Sequence, residues 1–480
     1  MLFTEYKFPL IGWLCIIPFK NNELATEDLL QTIEQLRSGA LVGISHLTLS
    51  CGLTLFPSEI IDLADTLEVL DLSGNSLSVL PDNFSLLRKL RIIFCSNNDF
   101  TELPEVLGRC PELSMVGFKA NRIRKVSAKA FPINLRWLIL TDNDIEALPE
   151  EIGSCTQLQK LMLAGNRLKS LPASLVNCSR LELLRIAANQ LNEFPTWLLS
   201  LPRLSWLAYS GNPFSTESEN KAIANLSIVD IPWSRLELEH VLGEGASGVI
   251  HYAKYSIADE ESRCVAVKLF KGAVTSDGLP HSEMAASMGA GKHSNLINVF
   301  GRVQDHPSGL NGLVMELIDA DFLSLAGPPS LESCTRDIYS LDASFDLVML
   351  LNITFSIASA AQYLHKQGIM HGDFYAHNIL HCEKGRALIG DFGAASFYSS
   401  DDAVTSEGLE KIEVRAFGCV LEELIDRCQS SPEEINVLTM LINLKVACLA
   451  DESQNRPFFD QICELLNELV DLTSKNNARH

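Results

Sequence analysis

The sequence predicts two domains of different class: an α/β solenoid built from a short repeat, followed by an α+β two-lobed domain. Three observations carry this. A leucine-rich unit recurs at a spacing of 23 residues through the first half. In the second half a glycine-rich turn, "LGEGASGVI" at 242 to 250, precedes a lysine-bearing strand with period two, "CVAVKLF". Farther on, "HGDFYAHNIL" at 371 to 380 and "GDFGAA" at 390 to 395 follow in order. At 480 residues the chain exceeds one ordinary core, since a domain takes roughly 100 to 200 residues.

The repeat reads LxxLxLxxNxLxxLP. "LEVLDLSGNSLSVLP" at 67 recurs at 90, 135, 158 and 181, with weaker copies opening at Ile44, Leu113 and Leu204. Asparagines mark the same phase at Asn75, Asn98, Asn121, Asn143, Asn166, Asn189 and Asn212. Alternate leucines of a short strand enter the core, and the asparagine amide satisfies backbone groups where the chain turns. One unit cannot bury its apolar face alone, so the copies must stack. The pattern is the leucine-rich repeat signature and resembles intracellular repeats of this kind. The expected layout is a lead and cap at 1–40, the solenoid at 41–214, a cap and linker at 215–233, the second domain at 234–472 and a tail at 473–480.

Composition narrows the partners. The net charge is −22, and residues 233 to 480 carry 18 basic against 35 acidic residues. Nucleic acid and anionic membrane are therefore poor partners. Thirteen cysteines lie singly, without a CxxC pair or dense cluster, which fits a reducing cytoplasmic compartment rather than a secreted disulfide scaffold. The apolar run "FPLIGWLCIIPF" is twelve residues long with two prolines, too short to span a bilayer. "LVMLLNITFSIASAAQYL" at 347 to 364 is broken by polar residues and reads as a buried helix of a soluble domain.

The second half carries the chemistry. Gly243, Gly245 and Gly248 let backbone approach phosphates, and Lys268 follows on a strand where a dinucleotide fold would show a helix. Glu283 stands in the next predicted helix, placed to pair with Lys268. "GLVMELID" at 312 to 319 reads as an apolar strand, and it resembles the strand and hinge of nucleotide-binding kinases, which would place Met315 at a back pocket. "EVRAFGCVLEEL" at 413 to 424 reads as a large helix, and "DESQNRPFF" contains Arg456. In order and spacing these motifs resemble the eukaryotic-like protein kinases over roughly residues 235 to 470, and the whole resembles a cytoplasmic leucine-rich-repeat protein kinase.

That resemblance implies a protein kinase fold using ATP and Mg²⁺. Asp373 would orient the acceptor hydroxyl and take its proton, while Asn378 and Asp391 would hold Mg²⁺. Gly243, Glu244, Gly245, Gly248, Ile250, Ala266, Lys268, Met315, Glu316 and Leu317 would contact the nucleotide. The chain departs from the family in three ways. Gly372 replaces the arginine before the catalytic aspartate, which in regulated kinases neutralises a loop phosphate. Tyr375 stands where serine/threonine kinases carry lysine, and His377 does not match the arginine of tyrosine kinases. Nineteen residues separate Gly393 from Glu413, with no A-P-E tripeptide. Ser396, Ser399, Ser400, Thr405 and Ser406 are the available loop hydroxyls. The expected activity is serine or threonine phosphorylation of protein. The alternatives are a small-molecule kinase of the HGD type and a silent scaffold.

The solenoid is expected to hold a protein partner. Repeat positions three and five alternate with the core leucines and point to the concave face. Nine of the fourteen residues read there are large and apolar, among them Phe94, Met115, Trp137, Ile139, Met162 and Trp206. Such a patch, if open to solvent, marks an interaction site with Trp137 and Trp206 as anchors.

Overall fold

The computed structural model describes residues 31–477, apart from 225–228, 246, 258–261, 273–274 and 276. The apolar run at 8 to 19 lies outside the described residues. Two compact units emerge. One runs to Leu204 and takes in Asn212–Phe214; the other holds Ser205–Gly211 and the chain from Ser215 onward.

The first unit opens with α1 (Ile33–Arg37), whose Thr32 and Gln35 form a reciprocal capping box. Strands then recur in chain order: β1 (His46–Thr48), β2 (Val69–Asp71), β3 (Ile92–Phe94), β4 (Met115–Gly117), β5 (Trp137–Ile139), β6 (Lys160–Met162) and β7 (Leu183–Arg185), while β8 (Trp206–Ala208) falls in the second unit. Within this unit β1 to β7 make one sheet in this order. The pairing is parallel and in register, so Val69, Ile92, Met115, Trp137, Lys160 and Leu183 stack as one column. The middle residue of each strand, from Leu47 to Leu184, is buried to 1% exposure or less. A short 3₁₀ helix after most L-P pairs returns the chain, with the proline just before it, as at Pro81 and Pro172.

The asparagines do the backbone work expected of them. Asn143 accepts from Ile123 N at 2.9 Å and donates to Phe118 O at 2.9 Å and Leu140 O at 3.1 Å. Asn166 repeats this with Ile145 N, Leu140 O and Leu163 O. Each ties its own repeat to the preceding one, and a net hydrogen bond contributes about 1 kcal/mol.

The concave positions correct the expectation of an open apolar patch. Met115 is 2% exposed, Trp137 5%, Met162 2% and Trp206 1%; only Phe94 and Ile139 of the named set are half-buried. Part of the reason is local. Lys160 Nζ lies 4.3 Å over the Trp137 ring, and the Phe94 ring lies over Gly117, where a Cβ would meet it at 2.5 Å. Trp206 belongs to the second unit and stacks there on Tyr375. A buried indole cannot anchor an external partner.

In the second unit, α2 (Thr216–Ala224) follows the stretch Ser205–Gly211. Its main sheet has the order β10-β11-β12-β14-β13-β9, from β9 (Asp230–Pro232), β10 (Leu236–Glu244), β11 (Gly248–Tyr255), β12 (Arg263–Phe270), β13 (Val299–Gln304) and β14 (Gly312–Glu316). Helix α3 (Pro280–Gly289) follows β12 and starts on proline, which suits a first helical turn. The helical part comprises α4 (Leu347–Lys366), α5 (Ala403–Ile425), α6 (Ile435–Cys448) and α7 (Phe459–Asn477). Helix α4 is capped by Asp346, which accepts from Met349 N at 2.7 Å, and packs against α7 and α5. It is the one helix among the described residues long and apolar enough to cross a membrane, and eleven of its residues are buried, Leu347, Leu350 and Leu351 first. Helix α5 starts ten residues before Glu413, because Asp402 accepts from Thr405 N at 3.1 Å and caps it there. Thr405 and Ser406 therefore lie in its first turn. Arg456 is buried and donates to Ala450 O and Lys411 O.

Candidate active site

One cleft gathers nearly all the residues singled out in the second half. Gly243, Gly245, Gly248, Ile250, Ala266, Lys268, Glu283, Met315, Glu316, Leu317, Asp373, Asn378 and Asp391 all line it. Its roof is the β10–β11 hairpin, where Gly245 N donates to Gly248 O at 2.9 Å. Gly248 must be glycine, since a Cβ would lie 2.4 Å from Leu269 O on the neighbouring strand. Glu244 is the exception: its carboxylate turns to Lys271 and does not line the cleft.

Lys268 on β12 pairs with Glu283 Oε1 on α3, and its Nζ lies 3.9 Å from Asp391 Oδ1. All three groups are largely buried, so each one's charge depends on the others. Burial alone would lower the Lys268 ammonium, but the Glu283 and Asp391 carboxylates raise it above its ordinary value. Burial raises the Glu283 carboxyl, only partly offset by Lys268. For Asp391 burial is overcome by Lys268 and by the Gly393 N–H at 3.1 Å, and the carboxyl falls below its usual value. Asp391 also holds φ +56°, a left-handed conformation that few residues other than glycine, asparagine and aspartate adopt.

Asp373 is fixed by its neighbour in the loop: Asn378 Nδ2 donates to Asp373 Oδ2 at 2.8 Å and to Asp373 O at 3.0 Å. The other amide atom, Asn378 Oδ1, is buried without a hydrogen-bond partner among the described residues. An orphaned acceptor of this kind beside an ionised Asp391 fits a hard divalent cation. Mg²⁺ usually takes only one or two protein oxygens, so this pair suffices for it.

Sequence reasoning missed the residues that hold the loop. Glu413, expected only as part of a helix, is wholly buried and accepts from His371 N at 3.2 Å, Gly372 N at 2.8 Å and His365 Nε2 at 2.8 Å. Burial pushes its carboxyl up, but these hydrogen bonds and His365 pull it below its usual value. His371 Nε2 meets Gly390 O at 2.9 Å, linking the two halves of the cleft floor. Asp337 accepts from His377 N at 2.9 Å and meets His377 Nδ1 at 2.8 Å. Burial would lower His377, but Asp337 raises it. The acid in front of a long apolar helix run was the available signal for Glu413; nothing local marked Asp337.

Comparison with known proteins agrees with this geometry. The model of the protein tyrosine and serine/threonine kinase family matches residues 236–421. A Leucine Rich Repeat model matches residues 66–87, and the repeat model of Leucine-rich repeat and WD repeat-containing protein 1 matches residues 127–230. The chain is 29% identical over 197 residues to Fibroblast growth factor receptor 1 of Pleurodeles waltl, covering 39% of this chain and 24% of that one. It is 24% identical over 225 residues to Dual serine/threonine and tyrosine protein kinase of Gallus gallus, covering 39% and 23%. Protein sevenless of Drosophila virilis is 30% identical over 217 residues, covering 43% and 8%. The chain thus spans about a quarter or less of the length of these relatives. Residues 236–421 match the protein tyrosine and serine/threonine kinase family model, and the chain has the fold of a leucine-rich repeat solenoid followed by a protein kinase domain.

Proposed function

We propose that this chain is an ATP- and Mg²⁺-dependent protein kinase acting on serine or threonine, in the cytoplasm. The observation that carries the reading is the convergence in one cleft of the Lys268–Glu283 pair, Asp391 and the Asp373–Asn378 pair. Bound ATP with Mg²⁺ would supply the transferable phosphoryl group and the charge neutralisation it needs. Lys268, kept charged by Glu283, offers its ammonium to phosphate oxygens. Asp391 and Asn378 Oδ1 offer the oxygens that would hold Mg²⁺. Asp373, oriented by the Asn378 amide, accepts the proton of the acceptor hydroxyl. The choice of serine or threonine rests on the family, and the dual-specificity relative from Gallus gallus is compatible with it.

The test is incubation of the purified chain with labelled ATP, Mg²⁺ and a mixed protein panel, beside Asp373→Asn and Asp391→Asn. Label on serine or threonine of protein, lost in both variants, supports the proposal. Label on tyrosine alone would correct the residue class. Tight Mg·ATP binding with no transfer would make the chain a scaffold, and transfer only to low-molecular-weight acceptors a small-molecule kinase.

A further inference from the structure

The stretch Ser205–Gly211 is buried against the loop that carries Asp373. The Trp206 indole lies on the Tyr375 ring with centroids 4.1 Å apart and planes 5° apart, and its Nε1–H donates to Phe374 O at 3.1 Å. Trp206 is 1% exposed, and Phe374 and Tyr375 are each 2% exposed. Leu207 O sits against Gly372: a Cβ there would lie 2.6 Å from it and 2.6 Å from Ala394 O, at φ +74°. Tyr209 donates its N–H to Ser396 Oγ at 3.2 Å and its O–H to Phe397 O at 3.3 Å. Arg415 of α5 donates to Ser205 Oγ at 2.7 Å.

We propose that this strand is the positioning element of the catalytic loop, standing in for the arginine before Asp373 and the A-P-E segment that the sequence lacks. Two clamps hold the loop from opposite ends of its peptide groups. Glu413 takes the N–H groups of His371 and Gly372, before Asp373. Trp206 takes the carbonyl of Phe374 and the face of Tyr375, after it. Between them the peptide that bears the Asp373 carboxylate has little freedom. Glycine at 372 follows from the same packing, because Leu207 O leaves no room for a side chain. No arginine can answer a loop phosphate there, so assembly is built in rather than switched by phosphorylation. Ser396, whose Oγ receives the Tyr209 N–H, is buried and is not an accessible phosphorylation site.

This inference rests on the phosphotransfer reading for its kinetic arm but not for its structural one. In the full chain, Trp206→Ala and Trp206→Phe are compared with wild type by amide hydrogen exchange, melting, and kcat and KM for ATP. Trp206→Ala should raise exchange at residues 371–376 about tenfold or more while β12 and α4 keep their protection. Its kcat should fall about 10²-fold at nearly unchanged KM, as for a misplaced catalytic group. Trp206→Phe keeps a ring on Tyr375 but loses the donor, and should fall between. Unchanged exchange and kcat in Trp206→Ala overturn the inference, and so does a raised kcat, which would make the strand a brake. Exchange rising equally across β12 and α4 overturns it too, as a merely structural role. If Trp206→Ala does not fold, Trp206→Phe decides alone: wild-type exchange and kcat in that variant overturn the inference. If the wild type binds nucleotide but transfers nothing, while exchange responds as stated, the phosphotransfer reading fails and the positioning role stands.

Discussion

In the solenoid, Asn143 and Asn166 perform one task at neighbouring positions, and both donate to the same Leu140 carbonyl. In the cleft, Lys268, Glu283, Asp373, Asn378 and Asp391 each perform a task that no other residue repeats. The first region spreads its stability over copies of a single contact. The second concentrates charge where burial makes every partner indispensable. Loss of one copy in the repeats should therefore be absorbed, whereas loss of one group in the cleft should not.

The largest effect is expected in the cleft and on activity. Asp373→Asn should cut phosphoryl transfer by about 10² to 10⁴-fold with little change in melting, because the amide keeps the size but cannot take a proton. Melting that drops along with activity would show that the site depends on the carboxylate for its fold. Lys268→Met comes next and reads out stability: it leaves Glu283 buried beside Asp391 without its cation, a loss of about 3 to 5 kcal/mol. Adding Glu283→Leu should restore part of it. A double variant no more stable than the single would show that the pair is not the cause.

In the repeats, Asn143→Ala removes four backbone hydrogen bonds and leaves Ile123 N–H unpaired, for about 1 to 3 kcal/mol in denaturant melts. Because Asn143 and Asn166 share Leu140 O, the double variant should differ from the sum of the singles by a measurable coupling. Strict additivity would mean the repeats act independently.

A pH effect of similar size is expected far from both. Burial pushes the Glu423 carboxyl up to about 7, despite Arg336 at 2.7 Å and Tyr339. Its folded value lies above the unfolded one, so the folded state binds more protons in between. Stability should thus fall as pH rises from about 4.5 to 7, by at most about 3 kcal/mol. Glu423→Gln should flatten that slope; an equal slope in the variant would assign it to other groups. The smallest effect concerns the loop hydroxyls. Phosphatase treatment should change specific activity by less than about twofold, since Gly372 provides no cation for a loop phosphate. A large drop would show that Ser399, Ser400, Thr405 or Ser406 matters after all.

The two regions also differed in how legible they were. The solenoid could be read almost residue by residue, because a period of 23 repeats the same physical instruction and each copy corrects the others. Its concave face could not, because burial there depends on what packs over the strand positions, and no periodicity reports that. Trp206 is the plain case: by phase it equals Trp137, yet it stacks on Tyr375, 169 residues away. In the cleft, local motifs located Lys268, Asp373, Asn378 and Asp391, since phosphate and metal chemistry demands those atoms. Glu413 and Asp337 were missed because they act on backbone groups far off in the chain. Gly372 was visible as a departure, but its cause, the Leu207 carbonyl, was not.

The most direct measurement is a paired one on wild type and Asp373→Asn: nucleotide affinity in the presence of Mg²⁺, and single-turnover transfer of the labelled γ-phosphate to protein. Equal affinities, with transfer in the wild type exceeding the variant by about 10²-fold or more, are the predicted result. Equal affinities with no transfer in either would contradict the account, leaving a kinase fold that binds nucleotide without using it.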